Sequence, residues 1–131
     1  MGEIIYSAMI PIEPKTKKNS QKIIENKKTK RLMVVQSDQY KLYESHAGWF
    51  LRKPKEGAIS QPVNIRCIFY RKDRHRVDLT NLLEAIDDIL VKYKVIKDDS
   101  FNILAGHDGS RVRIDKENPR TEIYIETIDD V

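Results

Sequence analysis

The chain lacks most of the features that mark membrane, secreted or zinc-binding proteins. It has one cysteine, Cys67, so no intramolecular disulfide can form. No Cys/His spacing of the zinc type is present either. Cys67 lies in a strand-like run and reads as a small core hydrophobe. No apolar run approaches the length of a membrane span. The opening stretch MGEIIYSAMIPIEP has no basic n-region and carries Glu3, which argues against a signal peptide. Gly2 is not followed by Ser or Thr where a myristoylation motif needs one. A cytoplasmic location is the expectation from these absences. Gly-rich phosphate loops, internal repeats and low-complexity segments are also missing.

What remains is a chain of 131 residues, 40% hydrophobic and 34% charged, enough for one globular domain with a real core. Its net charge of +4 is unevenly placed. Between Pro14 and Arg31 stand eight basic residues, Lys15, Lys17, Lys18, Lys22, Lys27, Lys28, Lys30 and Arg31, against one acid, Glu25. Arg71, Lys72, Arg74 and Arg76 form a second basic cluster. Basic arms beside an acidic helix suit a polyanion held next to a metal site, since phosphates supply affinity and carboxylates supply chemistry. The bland alternative is a solvated lysine-rich loop.

Hydrophobic periodicity orders the chain. Residues 3–10 read as a strand that Pro11 and Pro14 end. Residues 14–30 read as a long, mobile basic loop, and 31–36 as a short strand. Ser37-Asp38 is a plausible N-cap for a helix over 37–52, with Tyr40, Tyr43, Ala47, Phe50 and Leu51 on its apolar stripe. Tyr40, Tyr43 and Trp49 read as core or dimer contacts rather than base-stacking platforms. In residues 62–70, Val63, Ile65, Cys67 and Phe69 share one face of a strand. A helix over 78–93 follows, then strand segments at 101–105 and 111–114 around a turn at His107-Asp108-Gly109. A final alternating strand runs over 121–128. This order (strand, basic loop, strand, helix, strand, helix, strand, strand) predicts a single α+β domain. Its mixed sheet has about four to five strands and carries two helices. The strands joined by the 78–93 helix are expected to pair in parallel.

That helix carries the candidate chemistry. Leu79, Leu82, Leu83, Ile86, Ile89 and Leu90 form an apolar stripe. Thr80, Asn81, Glu84, Asp87 and Asp88 fall on the other side, with Thr80, Glu84 and Asp88 stacked four apart. Asp78 sits at the N-cap, where the free N–H groups and the dipole favour an anion. A return of the chain through Val95-Ile96 would bring Asp98-Asp99 towards Asp78. Carboxylates from two segments are what a hard divalent cation needs. A solvated helix face and a solvated turn are the alternative.

The run Arg76-x-Asp78-Leu79-x-Asn81-Leu82, continuing to Asp88-Ile89-Leu90, together with Lys97-Asp98-Asp99-Ser100, resembles the RusA family of Holliday junction resolvases, small endonucleases common in phage and prophage. The N-terminal strand, Pro-rich turn, basic loop and closing strand resemble it too. The resemblance implies a homodimer that nicks four-way DNA junctions symmetrically with Mg²⁺, or Mn²⁺ as a substitute, in recombination and repair. It implies no organic cofactor and no membrane partner. The family's three aspartates fall on Asp78, Thr80 and Asp99, so the second is replaced by Thr80, and a family lysine is replaced by Glu84. The expected catalytic set is therefore Asp78, Asp99, Thr80 and Glu84. The expected metal set is Asp78, Asp99, Glu84 and Asp88, with Thr80 supporting through its hydroxyl and Asp88 through a metal-bound water. Lys15, Lys17, Lys18, Arg71, Arg74 and Arg76 are expected to hold DNA. Two alternatives stay open: a non-catalytic branched-DNA-binding protein with a degenerate metal site, and a protein-interaction domain. His75 and His107 carry little signal by themselves.

Overall fold

A computed structural model of the chain describes residues 2–17, 21–36 and 38–129. Lys18 and the expected cap Ser37 lie outside the described residues. The elements are strands β1 (Ile4–Ile10), β2 (Gln21–Glu25) and β3 (Leu32–Gln36), helix α1 (Asp38–Ala47), strand β4 (Val63–Arg71), helix α2 (Leu79–Lys92), and strands β5 (Leu104–Gly106), β6 (Arg111–Ile114) and β7 (Arg120–Thr127). The fold is α+β, a mixed five-stranded sheet with two helices and a separate two-stranded hairpin. No helix among the described residues is long and apolar enough to cross a membrane.

The sheet is built around β4. On one side β7 pairs antiparallel along its whole length, Val63 with Thr127 through to Tyr70 with Arg120, and β1 flanks β7. On the other side β5 pairs in parallel with Val63 and Asn64, and β6 in parallel with Ile68 to Arg71. The crossover through α2 therefore joins parallel strands, as its position between strands predicts. Alternation decides the faces. Val63, Ile65, Cys67 and Phe69 of β4, and Thr121, Ile123 and Ile125 of β7, are buried. They meet Tyr40, Tyr43 and Ala47 of α1 and Leu82, Ala85, Ile86, Ile89 and Leu90 of α2 in one core. Full burial of each large apolar side chain stabilises the fold by about 1.5–3 kcal/mol. The opposite sheet face carries no helix among the described residues.

The structure departs from the sequence reading in four places. The segment read as a loop over 14–30 contains β2, and β3 pairs with β2 rather than joining the main sheet. The two strands turn through Asn26, whose side chain accepts from the amides of Lys28 and Thr29, while Lys30 adopts φ 57°. Asn is suited to such a turn because its side chain mimics a backbone acceptor. The α1 helix stops at Ala47 and a 3₁₀ turn, Gly48–Phe50, completes it. There Trp49 is 78% exposed, so of the two roles read for it, core or dimer contact, the core one is excluded. Phe101 is not in a strand; residues 100–104 turn, with Ile103 and Leu104 donating to the Ser100 carbonyl. Finally, Asp87 is buried, not on the solvent side of α2.

The C-terminus of α2 is closed by Lys94 in the left-handed region at φ 61°, with Val95 donating to Leu90 and Lys94 to Val91. This double bond satisfies carbonyls that a helix end leaves open. It turns Val95 and Ile96 into the core, where both are fully buried. The two helices are tied by Lys92 to Glu44 at 2.6 Å and by the Tyr93 hydroxyl donating to the Glu44 carbonyl at 3.1 Å. Tyr93 packs so closely on Gly48 that a Cβ there would lie 2.4 Å from two ring atoms. Gly48→Ala is therefore expected to cost about 1–3 kcal/mol through overpacking. Denaturant unfolding measures this, and an unchanged midpoint would mean that the Tyr93 ring swings clear at no cost.

Candidate active site

The basic segment and the start of α2 meet in a cleft of about 490 Å³. Pro14, Lys15 and Thr16 of the basic segment, Gln39 of α1, and Arg71, Arg76, Val77 and Asp78 line it. Pro14 and Thr16 are buried, which anchors the segment against the body of the protein. Three of the expected DNA-contact residues, Lys15, Arg71 and Arg76, thus come together with the leading expected metal ligand, Asp78. Neither Gln39 nor Thr16 was singled out in the sequence, because no local pattern marks them.

Asp78 occupies the N-cap position with an extended backbone, φ −90° and ψ 131°, and its carbonyl accepts from Asn81 and Leu82. A cap carboxylate usually accepts from the amides of the first turn. That of Asp78 does not. It is 52% exposed and lies 3.7 Å from Arg76, with the Asn81 amide at 3.5 Å. Its oxygens are not committed to holding the helix, so they are open to a ligand.

The other expected residues distribute as follows. Thr80 and Glu84 are exposed on α2, and Asp88 follows on the same face. Burial, then the charges of Glu44, Asp88 and Glu84 among the nearby groups, pushes the Tyr40 hydroxyl up. This locates the acidic face beside α1. Lys17 does not stand free for DNA: its ammonium is hydrogen-bonded to Asp88. Arg71 is likewise engaged. Its Nε lies 3.6 Å from Glu13, and its guanidinium donates to the His75 carbonyl. Arg74 does not line this cleft. In the acidic loop, Asp98 is turned onto Ser100, whose hydroxyl and amide hold its carboxyl below the usual range. Asp99 is exposed and lies near enough to Asp87 to raise it.

Among the described residues no three His, Cys, Asp or Glu side chains converge as a metal site. The donors themselves are hard carboxylate oxygens. Mg²⁺ commonly takes only one or two protein carboxylates and completes its shell with water and substrate phosphate. A partly exposed Asp78 beside a basic cleft fits that mode, whereas a closed three-ligand cage does not.

The least expected feature is a buried pair. The parallel strands β5 and β6 leave Ile65, Arg66 and Cys67 of β4 without a partner on that side. Side chains of the intervening turn close the gap. His107 Nδ1 donates to the Ile65 carbonyl at 2.7 Å, and the Cys67 amide donates to Ser110 Oγ at 2.9 Å. Asn64 is bonded twice to the backbone of Asp108. His107 Nε2 then meets Asp87 Oδ2 at 2.9 Å, joining α2 to the sheet. Because Nδ1 must carry a proton to reach a carbonyl, a neutral ring would present its Nε2 lone pair to the carboxylate. The pair therefore holds one extra proton. Burial raises Asp87 against the opposing effect of His107. For His107, burial alone would lower the ring, and the bond and charge of Asp87 outweigh it, so it too is raised.

Both shifts have the same sign. A group raised in the folded state stabilises fully below its unfolded value and loses that contribution as pH climbs through the folded one. The wild-type protein is expected to lose up to about 1.4 kcal/mol per pH unit from this pair as pH rises above the ordinary histidine range. Asp87→Asn should flatten that slope, because an amide can donate to a neutral His107. Urea midpoints across this range test it, and parallel pH profiles for the two proteins would refute the shared proton.

A family model described as Endodeoxyribonuclease RusA matches residues 11–126. That span includes the basic segment, α2, the acidic loop and most of β7. No curated protein matches the chain. The chain belongs to the RusA endodeoxyribonuclease family, and this membership implies Holliday-junction-resolving endonuclease activity.

Proposed function

We propose that the protein is a magnesium-dependent endonuclease that resolves four-way DNA junctions by paired, symmetric nicks, acting as a homodimer in recombination and repair. The observation that carries the reading is the cleft, where the half-exposed carboxylate of Asp78, free of capping bonds, lines the same space as Lys15, Arg71 and Arg76. Phosphate needs cations around it, and cleavage needs a carboxylate beside it. Asp78 and Asp99 are the residues that would hold Mg²⁺, or Mn²⁺ in its place. The bound ion supplies charge neutralisation at phosphorus and a water of lowered pKa.

The chain's own groups do the rest. Lys15 and Arg76 grip the phosphate backbone at the cleft mouth, and Arg71, steadied by Glu13, stiffens its wall. Thr80 offers a hydroxyl to a water at the start of α2. Glu84, one turn along the same exposed face, offers the carboxylate that Thr80 lacks. Asp88 holds Lys17 and so fixes the basic segment over α2, which favours this role over a place beside the ion. Two copies about a two-fold axis would match the pseudo-symmetry of a junction. Action on DNA inside the cell agrees with a cytoplasmic location.

Cleavage of a synthetic four-way junction, with a matched linear duplex as control, tests the reading. Symmetric nicks are expected only with Mg²⁺ or Mn²⁺. Asp78→Asn, Asp99→Asn and Glu84→Gln should each slow nicking by about 10²-fold or more while junction binding is kept. Full activity in Glu84→Gln would remove Glu84 from the site. Tight binding without nicks in the wild type would support the non-catalytic junction-binding alternative.

A further inference from the structure

We propose that the uncovered face of the main sheet is a second DNA-contact surface, which takes the arm of a branched substrate as it leaves the cleft. The proposal rests on the nuclease reading and adds a phosphate-binding surface outside its site. The face is set by register. Because β6 pairs in parallel with β4, Ile68 opposite Arg111 and Tyr70 opposite Arg113, both arginines project on the side away from the core. They stand about 6.6 Å apart along the strand. With Arg66 and Tyr124 they border a broad, shallow concavity of about 990 Å³.

Charge accounting separates this face from an ordinary solvated one. Arg66 is paired with Glu126 at 3.1 Å, and Arg120 with Asp115 and Glu122, each at 2.9 Å. Arg74, Arg111 and Arg113 have no ion-pair partner among the described residues, yet all three border the same concavity. Three uncompensated guanidiniums on one surface attract a polyanion. The tyrosines narrow the choice of contact. Arg120 lies 3.8 Å over the Tyr70 ring and Arg66 4.4 Å over that of Tyr124. Rings capped in this way do not offer a free face to a base, so recognition falls on the phosphate backbone, independent of sequence.

Continuity with the cleft supplies the path. One loop joins β4 to α2, and it gives Arg74 to the sheet-face concavity and Arg76 to the cleft. A strand whose phosphate sits by Asp78 can therefore continue over this loop onto Arg111 and Arg113. Charged residues on an edge strand also prevent edge-to-edge aggregation, and the experiment separates that role from DNA contact.

The test is binding of a labelled four-way junction by the full chain between 50 and 200 mM salt, comparing wild type with Arg111→Ala/Arg113→Ala and Arg111→Lys/Arg113→Lys. Each phosphate contact contributes about 0.9 to the log–log salt slope. The alanine pair should lower that slope by roughly 2, and the lysine pair should restore most of it, since a point charge suffices for phosphate. Unfolding midpoints confirm that each variant is folded. A wild-type slope and Kd in the alanine pair would overturn the proposal, and aggregation with an unchanged slope would assign the arginines to edge protection instead. If the wild type neither binds nor nicks a junction, the nuclease reading falls and this surface falls with it. If the wild type binds and nicks a junction and the alanine pair binds it with the same slope and Kd, the second surface alone is refuted.

Discussion

The organisation of this protein turns on the middle of β4. A buried strand must satisfy its backbone groups on both edges. Here β7 satisfies one edge completely, while β5 and β6 cover only the two ends of the other. Side chains fill what the ladder leaves open: His107 at the Ile65 carbonyl and Ser110 at the Cys67 amide. The first of these then reaches Asp87, so the bond that completes the sheet also fixes the helix. Asp78 and Glu84 belong to that helix, and Asp99 to the loop beyond it. The Asp87–His107 pair is therefore upstream of the whole acidic arrangement, although neither member lies in the cleft.

Charge is partitioned in a consistent way. Cations that shape the protein are neutralised internally: Lys17 by Asp88, Arg71 by Glu13, and Arg120 by Asp115 and Glu122. Arg74, Arg111 and Arg113, without an ion-pair partner among the described residues, border the sheet face, and Arg76 holds Asp78 only across 3.7 Å at a highly exposed position. Exposed pairs of that length contribute little to stability. Their availability to solvent and ligand is the more consequential property. A carboxylate freed from capping duty and a set of arginines freed from pairing are both arrangements that stability alone would not favour.

The chain belongs to the RusA endodeoxyribonuclease family, and the resemblance of its motifs to that family puts Thr80 and Glu84 where an aspartate and a lysine are expected. On the proposed reading, another oxygen takes the place of that aspartate. Glu84 remains exposed on the same face as Thr80, unburied and not diverted into the core, whereas Asp87 has been absorbed into the structure. The neighbouring acids of α2 thus have separate roles. Asp87 joins helix to sheet, Asp88 anchors the basic segment, and Glu84 is left exposed to solvent.

Local periodicity was enough to read the α+β class, the inward faces of β4 and β7, most of the α2 stripe, the end of α2 near Tyr93 and the family pattern, because each is encoded by residues close in sequence. Asp78, Lys15, Arg71 and Arg76, read as site candidates from local motifs, meet in one cleft. Asp87 was misplaced. It sits about 40° round the helix from Leu83, at the stripe's edge, and only the partner decides whether such a polar residue is buried. That partner, His107, is 20 residues away, and the Lys17–Asp88 contact spans 71. The pairing of β3 with β2, and the exposure of Trp49, likewise depended on what lay opposite. Sequence fixes which face a side chain takes on its own element; which distant group meets it there is set by packing, and in this protein packing chose the buried pair and the uncompensated arginines.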